Sequence, residues 1–444
     1  MNALEAQIQH WRTYVQRQRT IGHDDTDELE EHLRAQIGDL TEAGLAEDEA
    51  FLVAVKRMGC LDAISREFAR EHSDRLWKQL VLPAEAAPEH AGHRSSLAVA
   101  LLLGCCAGAA VRGLVAWGGE ATGPDNLSLV TLPFLAAYFA WSRRVTPVVG
   151  AVLVAAAAAL GLLVNLMPVE TGGSTHVLML MHVPVALWFV CGGAYLGGGW
   201  SHLRARMDFV RFTGEWAVYY GLIAVGGGVL TALTIAVFAA VDIDAGEQIA
   251  AWVVPLGAGG AVLVAAWLVE AKQDVIENIV PVLTRVFTPL TALMLVAVLG
   301  AFVASPDVLS GNRDLLIAMT LILVLVLGLL LYAISARDLL APADWFDRLQ
   351  TLVVVLALIV DAVVIVAMLG RIAEFGASPN KVAALGLNLV VAVNLVWSAV
   401  LSVRFLRGTG TAGALERWQT AYLPAFGLWA MAVIIVLPPA FGFA

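Results

Sequence analysis

Asp361 is the residue of this chain best placed to do chemistry. It interrupts an apolar run, flanked by Ile359, Val360, Val363 and Val364, and a carboxylate at such a depth is expensive unless it is protonated or paired. Arg112, His182, Asn388 and Asn394 interrupt other apolar runs. Counted from the ends of those runs, the five fall in or near one polar layer in the outer half of a helical bundle. Such a set could line a water-filled site that binds an ion or a proton. Two structural arrangements use the same residues: an Asp361–Arg112 ion pair that holds two helices in register, or a neutral Asp361 hydrogen-bonded to Asn388. His182, alone on its helix, reads as a packed, hydrogen-bonded histidine.

Nothing else in the chain points to catalysis. There is no Gly-x-Ser-x-Gly, no His-Glu-x-x-His, no Gly-x-x-x-x-Gly-Lys-Ser/Thr and no intramembrane pair of carboxylates, so the chain is not expected to be an enzyme. No cofactor and no metal are expected either, because His90 and His93 come without further ligands. Cys105, Cys106 and Cys191 fall inside apolar runs and Cys60 in the polar prefix. They read as small packing residues rather than a disulfide framework.

The elements that position these residues are helices in lipid. Hydrophobic residues make up 59% of the 444, charged residues only 14%, and mean hydropathy is +0.78, which excludes an ordinary soluble globular protein. A hydrocarbon core ~30 Å thick needs about 20 apolar residues per helix. The runs that qualify lie near 97–117, 126–141, 146–168, 177–199, 217–241, 249–269, 286–304, 315–335, 350–370, 382–404 and 422–443, the second being short. The fold class is therefore all-α: a small cytosolic helical bundle followed by a polytopic transmembrane bundle of about 11 spans. The domains are 1–82 for the prefix, 83–96 for a Pro/Ala linker and 97–444 for the membrane region.

Charge orients them. Segments 142–145, 200–216, 270–285, 336–349 and 404–422 carry 12 Lys or Arg, whereas the opposite loops carry only Arg313, Arg371 and Lys381. The positive-inside rule makes the first set cytoplasmic, with the N-terminus inside and the C-terminus outside. Met1 opens onto a polar helix instead of a cleavable signal, so the prefix is expected to stay in the cytoplasm. Trp117, Trp141, Trp200, Trp216 and Trp418 sit at span ends as interfacial anchors with wet N–H groups. Gly104/Gly108, Gly193/Gly197 and Gly226-Gly227-Gly228 are spaced for close helix packing. Asp347-Arg348-Leu349-Gln350-Thr351 and Glu416-Arg417-Trp418-Gln419-Thr420 suggest two related hairpins, or merely two basic, aromatic boundaries.

Residues 1–94 hold 11 Lys or Arg against 18 Asp or Glu, which is −7 of the chain's −10. That surface makes nucleic acid a poor partner. Asp25 with Glu28 reads as a capping box, followed by Leu29, Leu33, Ile37 and Leu40 at helical spacing until Gly44. Phe51, Ala54, Val55 and Met58 form a second stripe that Gly59 ends, and Leu61, Ile64 and Phe68 a third. Gly44-Leu45, Glu49-Ala50-Phe51, Arg57-Met58-Gly59, Ile64 and Glu67-Phe68 carry a resemblance to the HAAS, or permease prefix, domain over residues 2–75. The resemblance implies a regulatory or docking role and no catalysis. Glu270, Asp274 and Glu277, with Lys272 and Arg285, form an amphipathic extension that could receive the prefix or a partner, or else a solvated face.

Residues 200–440 resemble an uncharacterised family of bacterial multi-pass membrane proteins, through Leu283-Thr284-Arg285-Val286-Phe287-Thr288-Pro289, Glu374-Phe375-Gly376-Ala377-Ser378-Pro379-Asn380-Lys381 and the run Val382 to Asn388. Phe375, Ser378 and Lys381 stand where that family tends to have Tyr, Thr and Arg. The resemblance makes Glu374, Gly376, Ser378 and Lys381 a candidate outer-loop motif. The expectation is a bacterial inner-membrane protein whose prefix, residues 1–82, engages a cytosolic or membrane partner in signalling or regulation. The alternative is a secondary transporter or permease-like protein that uses Asp361.

Overall fold

The computed structural model describes residues 4, 7, 8, 23–42, 45–58, 89–119, 123–200, 202–240, 242–244, 246–271, 279–304, 313–337, 339 and 341–443. Every regular element among them is helical, and the chain forms two compact units, Met1–Glu89 and His90–Ala444. The fold class follows from the sequence pattern: period-3.6 apolar stripes in the first unit, continuous apolar runs in the second.

In the first unit α1 (His23–Glu42) packs on α2 (Glu47–Met58). Leu33, Ile37 and Leu40 from α1 meet Ala50, Phe51, Ala54 and Val55 from α2, with Ile8, in a core that excludes solvent. The spacing predicts this stripe. It misplaces the start, since α1 begins at His23 and Asp25 lies in its first turn rather than at its cap. Gly44, Leu61, Ile64 and Phe68 lie outside the described residues, as do Lys272, Asp274 and Glu277 of the amphipathic extension.

The second unit runs α3 (Glu89–Trp117), α4 (Leu127–Ser142), α5 (Pro147–Leu166), α6 (Ser174–Tyr195), α7 (Leu203–Ala240), α8 (Gly246–Ala271), α9 (Ile279–Ala304), α10 (Arg313–Ser335), α11 (Trp345–Phe375), α12 (Pro379–Leu406), α13 (Ala412–Ile435) and the single turn α14 (Leu437–Ala440). Ten of these helices are long and apolar enough to cross a membrane: α3 from Ser96, then α5 to α13. Their lipid-type exterior is written in exposed Val, Leu and Ile side chains such as Val148, Val225, Leu293, Leu321 and Val366. α4 has 16 residues, or about 24 Å at 1.5 Å per residue.

Contacts between helix ends sort into two sets. At one end Trp267 donates to Ser96, Arg143 pairs with Glu270 at 2.9 Å, Arg211 donates to the Ser335 carbonyl, and Arg337 lies over the Phe405 ring. We call this the basic end. At the far end the side-chain amides of Asn126 and Asn165 each donate a hydrogen bond to the other's Oδ1, His176 meets Asp125, Asn380 donates to Ser174, and the Glu170 N–H donates to the Phe443 carbonyl. Each contact joins ends that an alternating up-and-down path brings to the same side. The short α4 obeys it too, touching α5 and α6 at its start and Glu270 of α8 at its close.

Two apolar cores form in this unit. One is built by α3 to α8 with Ile434 of α13, the other by α9 to α13 with Met207 of α7. α3 and α8 approach so closely that a Cβ on Gly108 would strike the Leu256 backbone, and one on Gly104 the Gly260 carbonyl. Small residues make such an approach feasible.

Several boundary expectations are corrected. Segment 200–216 is not a loop, since α7 is helical from Leu203 and buries Met207, Phe209, Phe212 and Glu215. The last span begins at Ala412, ten residues ahead of its apolar run, because Gln419 and Thr420 are buried by neighbouring helices rather than solvated. Trp216 and Trp418 are not anchors with wet N–H groups: they donate to the Val262 and Asn394 carbonyls. Gly226, Gly227 and Gly228 face open space, and Gly197 is a turn residue at φ 59°. Cys191 packs in the core, but Cys105 and Cys106 are exposed on α3.

Candidate functional site

The α11–α12 hairpin carries the chain's most unusual buried group, and both of its ends are pinned. At the basic end Asp344 caps α11 in a reciprocal capping box with Asp347, which satisfies orphan N–H groups of the first turn. Burial opposes ionisation of Asp344, but hydrogen bonds from Asp347 and Phe346 and the Arg337 charge outweigh it and hold its carboxyl below the usual range. Arg337 grips Asp347 as a fork, Nε to Oδ1 at 2.8 Å and Nη2 to Oδ2 at 2.6 Å.

At the far end the Glu374–Lys381 motif forms the turn itself. Gly376 holds φ 74°, where a side chain is strained. Lys381 Nζ donates to the Gly376 carbonyl at 2.8 Å and lies 5.6 Å from the Phe375 ring, closing the end of α11. Ser378 occupies the N-cap position of α12 with Pro379 behind it, and Glu374 is exposed. The motif's geometry accounts for Gly376 and Lys381 as turn residues.

Midway between these ends sits Asp361. Its face of α11 also carries Val354, Ala357, Val360, Val364 and Met368, all buried, against α9, α10 and α12. Asp361 is completely buried, and neither carboxylate oxygen has a hydrogen-bond partner among the described residues. A group so placed is costly in any charge state, and an unpartnered ionised carboxylate most of all.

The other candidate polar residues have partners of their own. Asn388 gives its amide to Thr320 Oγ1 at 3.2 Å and Met368 Sδ at 3.5 Å, while its Oδ1 is buried without a partner. Asn394 belongs to a closed network: it donates to Gln419 Oε1 at 2.9 Å, and Gln419 Nε2 donates to Ser398 Oγ at 2.7 Å and back to Asn394 Oδ1 at 3.2 Å. Arg112 stacks its guanidinium 4.4 Å from the Trp252 ring on α8. His182 Nδ1 lies 2.8 Å from the Leu178 carbonyl one turn back. Neither the Asp361–Arg112 ion pair nor an Asp361–Asn388 hydrogen bond is formed.

Sequence reasoning missed three features. His176, not His182, meets a carboxylate: the Gly172 N–H donates to Nδ1 at 3.2 Å, so Nε2 carries the proton and donates to Asp125 at 2.8 Å. Arg206 donates to the Thr420 carbonyl at 3.1 Å, the group that Pro424 deprives of its helical N–H; the Arg206 and Pro424 positions were visible but not their pairing. Gln419 and Ser398 gave no signal beyond being polar. The two similar segments share one device, Thr351 and Thr420 each donating to the carbonyl of the acid four residues back, and differ beyond it.

No family model, curated protein or solved structure matches this chain.

Proposed function

We propose that this chain is an integral protein of a bacterial cytoplasmic membrane, N-terminus inside and C-terminus outside, whose prefix docks onto or regulates a cytosolic or membrane partner. The bundle anchors it and serves as receptor for an envelope signal; no catalysis is involved. One observation carries this reading: the prefix closes a core of its own and keeps Glu31, Asp39 and Glu49 at its surface. A self-contained acidic module ahead of a membrane domain is suited to recognising a protein and ill suited to nucleic acid or anionic lipid. The resemblance to the HAAS domain agrees. The test is affinity purification from native membranes, after mild crosslinking, of the full chain beside a form lacking residues 1–82. A stoichiometric partner lost only from the truncated form is expected; the same partner-free protein from both ends the docking reading.

A second reading has its own support. The unpartnered Asp361 favours a secondary transporter or permease-like protein that uses this carboxyl, since an intramembrane ionisable group is costly to keep without a use. Flux in proteoliposomes that Asp361→Asn abolishes without loss of folded protein is the expected result there.

A further inference from the structure

We infer that Asp361 is a proton-binding site reached by water from the far end of the bundle, along the seam between α11, α12 and α13. The inference rests on the second reading above and names its ligand and its side of entry.

The carboxyl must hold something. With both oxygens buried and unbonded, an ionised state has no compensating charge or hydrogen bond, so the group carries a proton or takes a cation. A cation is excluded by its company. Metal ions need several oxygen or nitrogen donors at once, whereas Asp361 shares its core with Leu295, Leu323, Val360, Val364, Val391 and Leu395. Among the described residues no three His, Cys, Asp or Glu groups come together anywhere. Among the described side chains, the titratable groups of the helices packed on it stand toward helix ends: Asp347, Arg348, Arg371 and Glu374 on α11 itself, Arg285 on α9, Tyr332 near the close of α10, and Lys381 and Arg404 near the two ends of α12. A proton is what remains.

Access is asymmetric. Among the described residues of the membrane unit seven buried polar atoms lack a partner, and six of them belong to α11, α12 and α13: Gln350 Nε2, both oxygens of Asp361, Arg371 Nη1, Asn388 Oδ1 and Trp429 Nε1. Native proteins seldom bury such atoms dry, and ordered water is the usual partner. Three of them lie between Asp361 and the far end. Asn388 stands level with Met368, seven residues or about 10 Å beyond Asp361 along α11. Arg371 follows one turn later, and Trp429 covers Gly386 just beyond Asn388.

Toward the basic end the next such atom is Gln350 Nε2, eleven residues or about 16 Å away. It faces a cavity of about 10 Å³ lined by Thr288, Leu330, Val353 and Val354, room for roughly one water. Buried Val353, Val354 and Ala357 separate it from Asp361. Beside them the Asn394–Ser398–Gln419 network spends its side-chain groups on itself.

Infrared spectroscopy of the full chain in lipid bilayers tests the inference. The protonated carboxyl should give a C=O stretch above the amide band that Asp361→Asn removes, and transfer to D₂O should shift it downward. Asn388→Leu should slow that shift several-fold, and Gln350→Leu should leave it unchanged. No such band, or a band that never shifts, overturns the site. Equal slowing by both substitutions overturns the far-end route. Should Asn388→Leu not fold, one-sided labelling answers the same question: in a chain freed of its four cysteines, Asp361→Cys should react with an impermeant thiol reagent from the far side alone, and reaction from the basic side overturns it. An exchanging band in proteoliposomes that carry no proton flux leaves the proton site standing and removes only the transport reading.

Discussion

At the residue scale the membrane unit relies on side chains that reach the backbone of a neighbouring helix. Arg206 on the Thr420 carbonyl, Trp216 on Val262, Trp418 on Asn394 and Tyr422 on Val390 are of this kind. In lipid an orphaned carbonyl finds no water, so the Arg206 bond compensates for the N–H that Pro424 lacks. Arg206→Ala should therefore cost about 1–3 kcal/mol, the desolvation penalty of one unmet group. In a Pro424→Ala background, where residue 424 supplies the missing N–H, that cost should fall by more than half. Thermal unfolding of the four variants in mixed micelles measures the coupling, and strictly additive losses would dissociate Arg206 from the proline. Asp361 behaves in the opposite sense. Because no described residue bonds to it, Asp361→Leu should stabilise the folded bundle by about 1–3 kcal/mol. A loss of stability would mean that the carboxyl holds helices together.

Helices were the part of this protein most legible in its sequence, because a run of twenty apolar residues in lipid has few alternatives to a helix. The runs near 249–269, 315–335 and 382–404 each fall within one helix of the structure. Legibility failed where a helix continues through polar residues that other helices cover. Gln419 and Thr420 look like loop and are core, so α13 starts ten residues earlier than its hydropathy. For the site, the sequence pointed to Asp361 and Asn388 as buried polar groups, but their separation depends on helix rotation, which a one-dimensional pattern does not contain. Glycines divide the same way. Gly108 meets the Leu256 backbone and Gly226 meets nothing, although both are small residues in apolar runs. Gly108→Ala should lower stability by about 1–3 kcal/mol through overpacking against main chain that cannot turn aside. Gly226→Ala should be neutral or gain up to about 1 kcal/mol of helix propensity. Equal effects in a chemical unfolding series would show that α3 and α8 do not meet at that point.

For the whole molecule the decisive element is α4, with 16 residues. Ten helices satisfy the length and hydropathy of a crossing, and an even number would return the C-terminus to the side of the prefix. α4 changes that parity if it crosses. It starts among Asn165 and His176, at the far ends of α5 and α6, and finishes where Arg143 and Tyr138 meet Glu270 at the basic end of α8. Its 16 residues supply about 24 Å, and the turn at Pro124–Asn126 extends it at one end. A bilayer thins, or flanking residues snorkel, to accommodate a shortfall of a few ångströms. Buried Leu135, Tyr138 and Phe139 in the α3–α8 core remove α4 from most lipid contact, which makes a short crossing easier still. If α4 crosses, the crossings number eleven, and with them comes a definite pattern. Single cysteines at Arg144 and Gly408 should be reached by an impermeant thiol reagent only after the cytoplasmic side is opened. Cysteines at Gly172, Gly376 and Gly442 should react in intact cells. Were α4 re-entrant, Arg144 would fall on the same side as Gly119, and every later loop would exchange sides. The twelve basic residues would then face outward, against the charge bias that orients membrane chains, so the labelling of these positions decides the parity and the charge argument together.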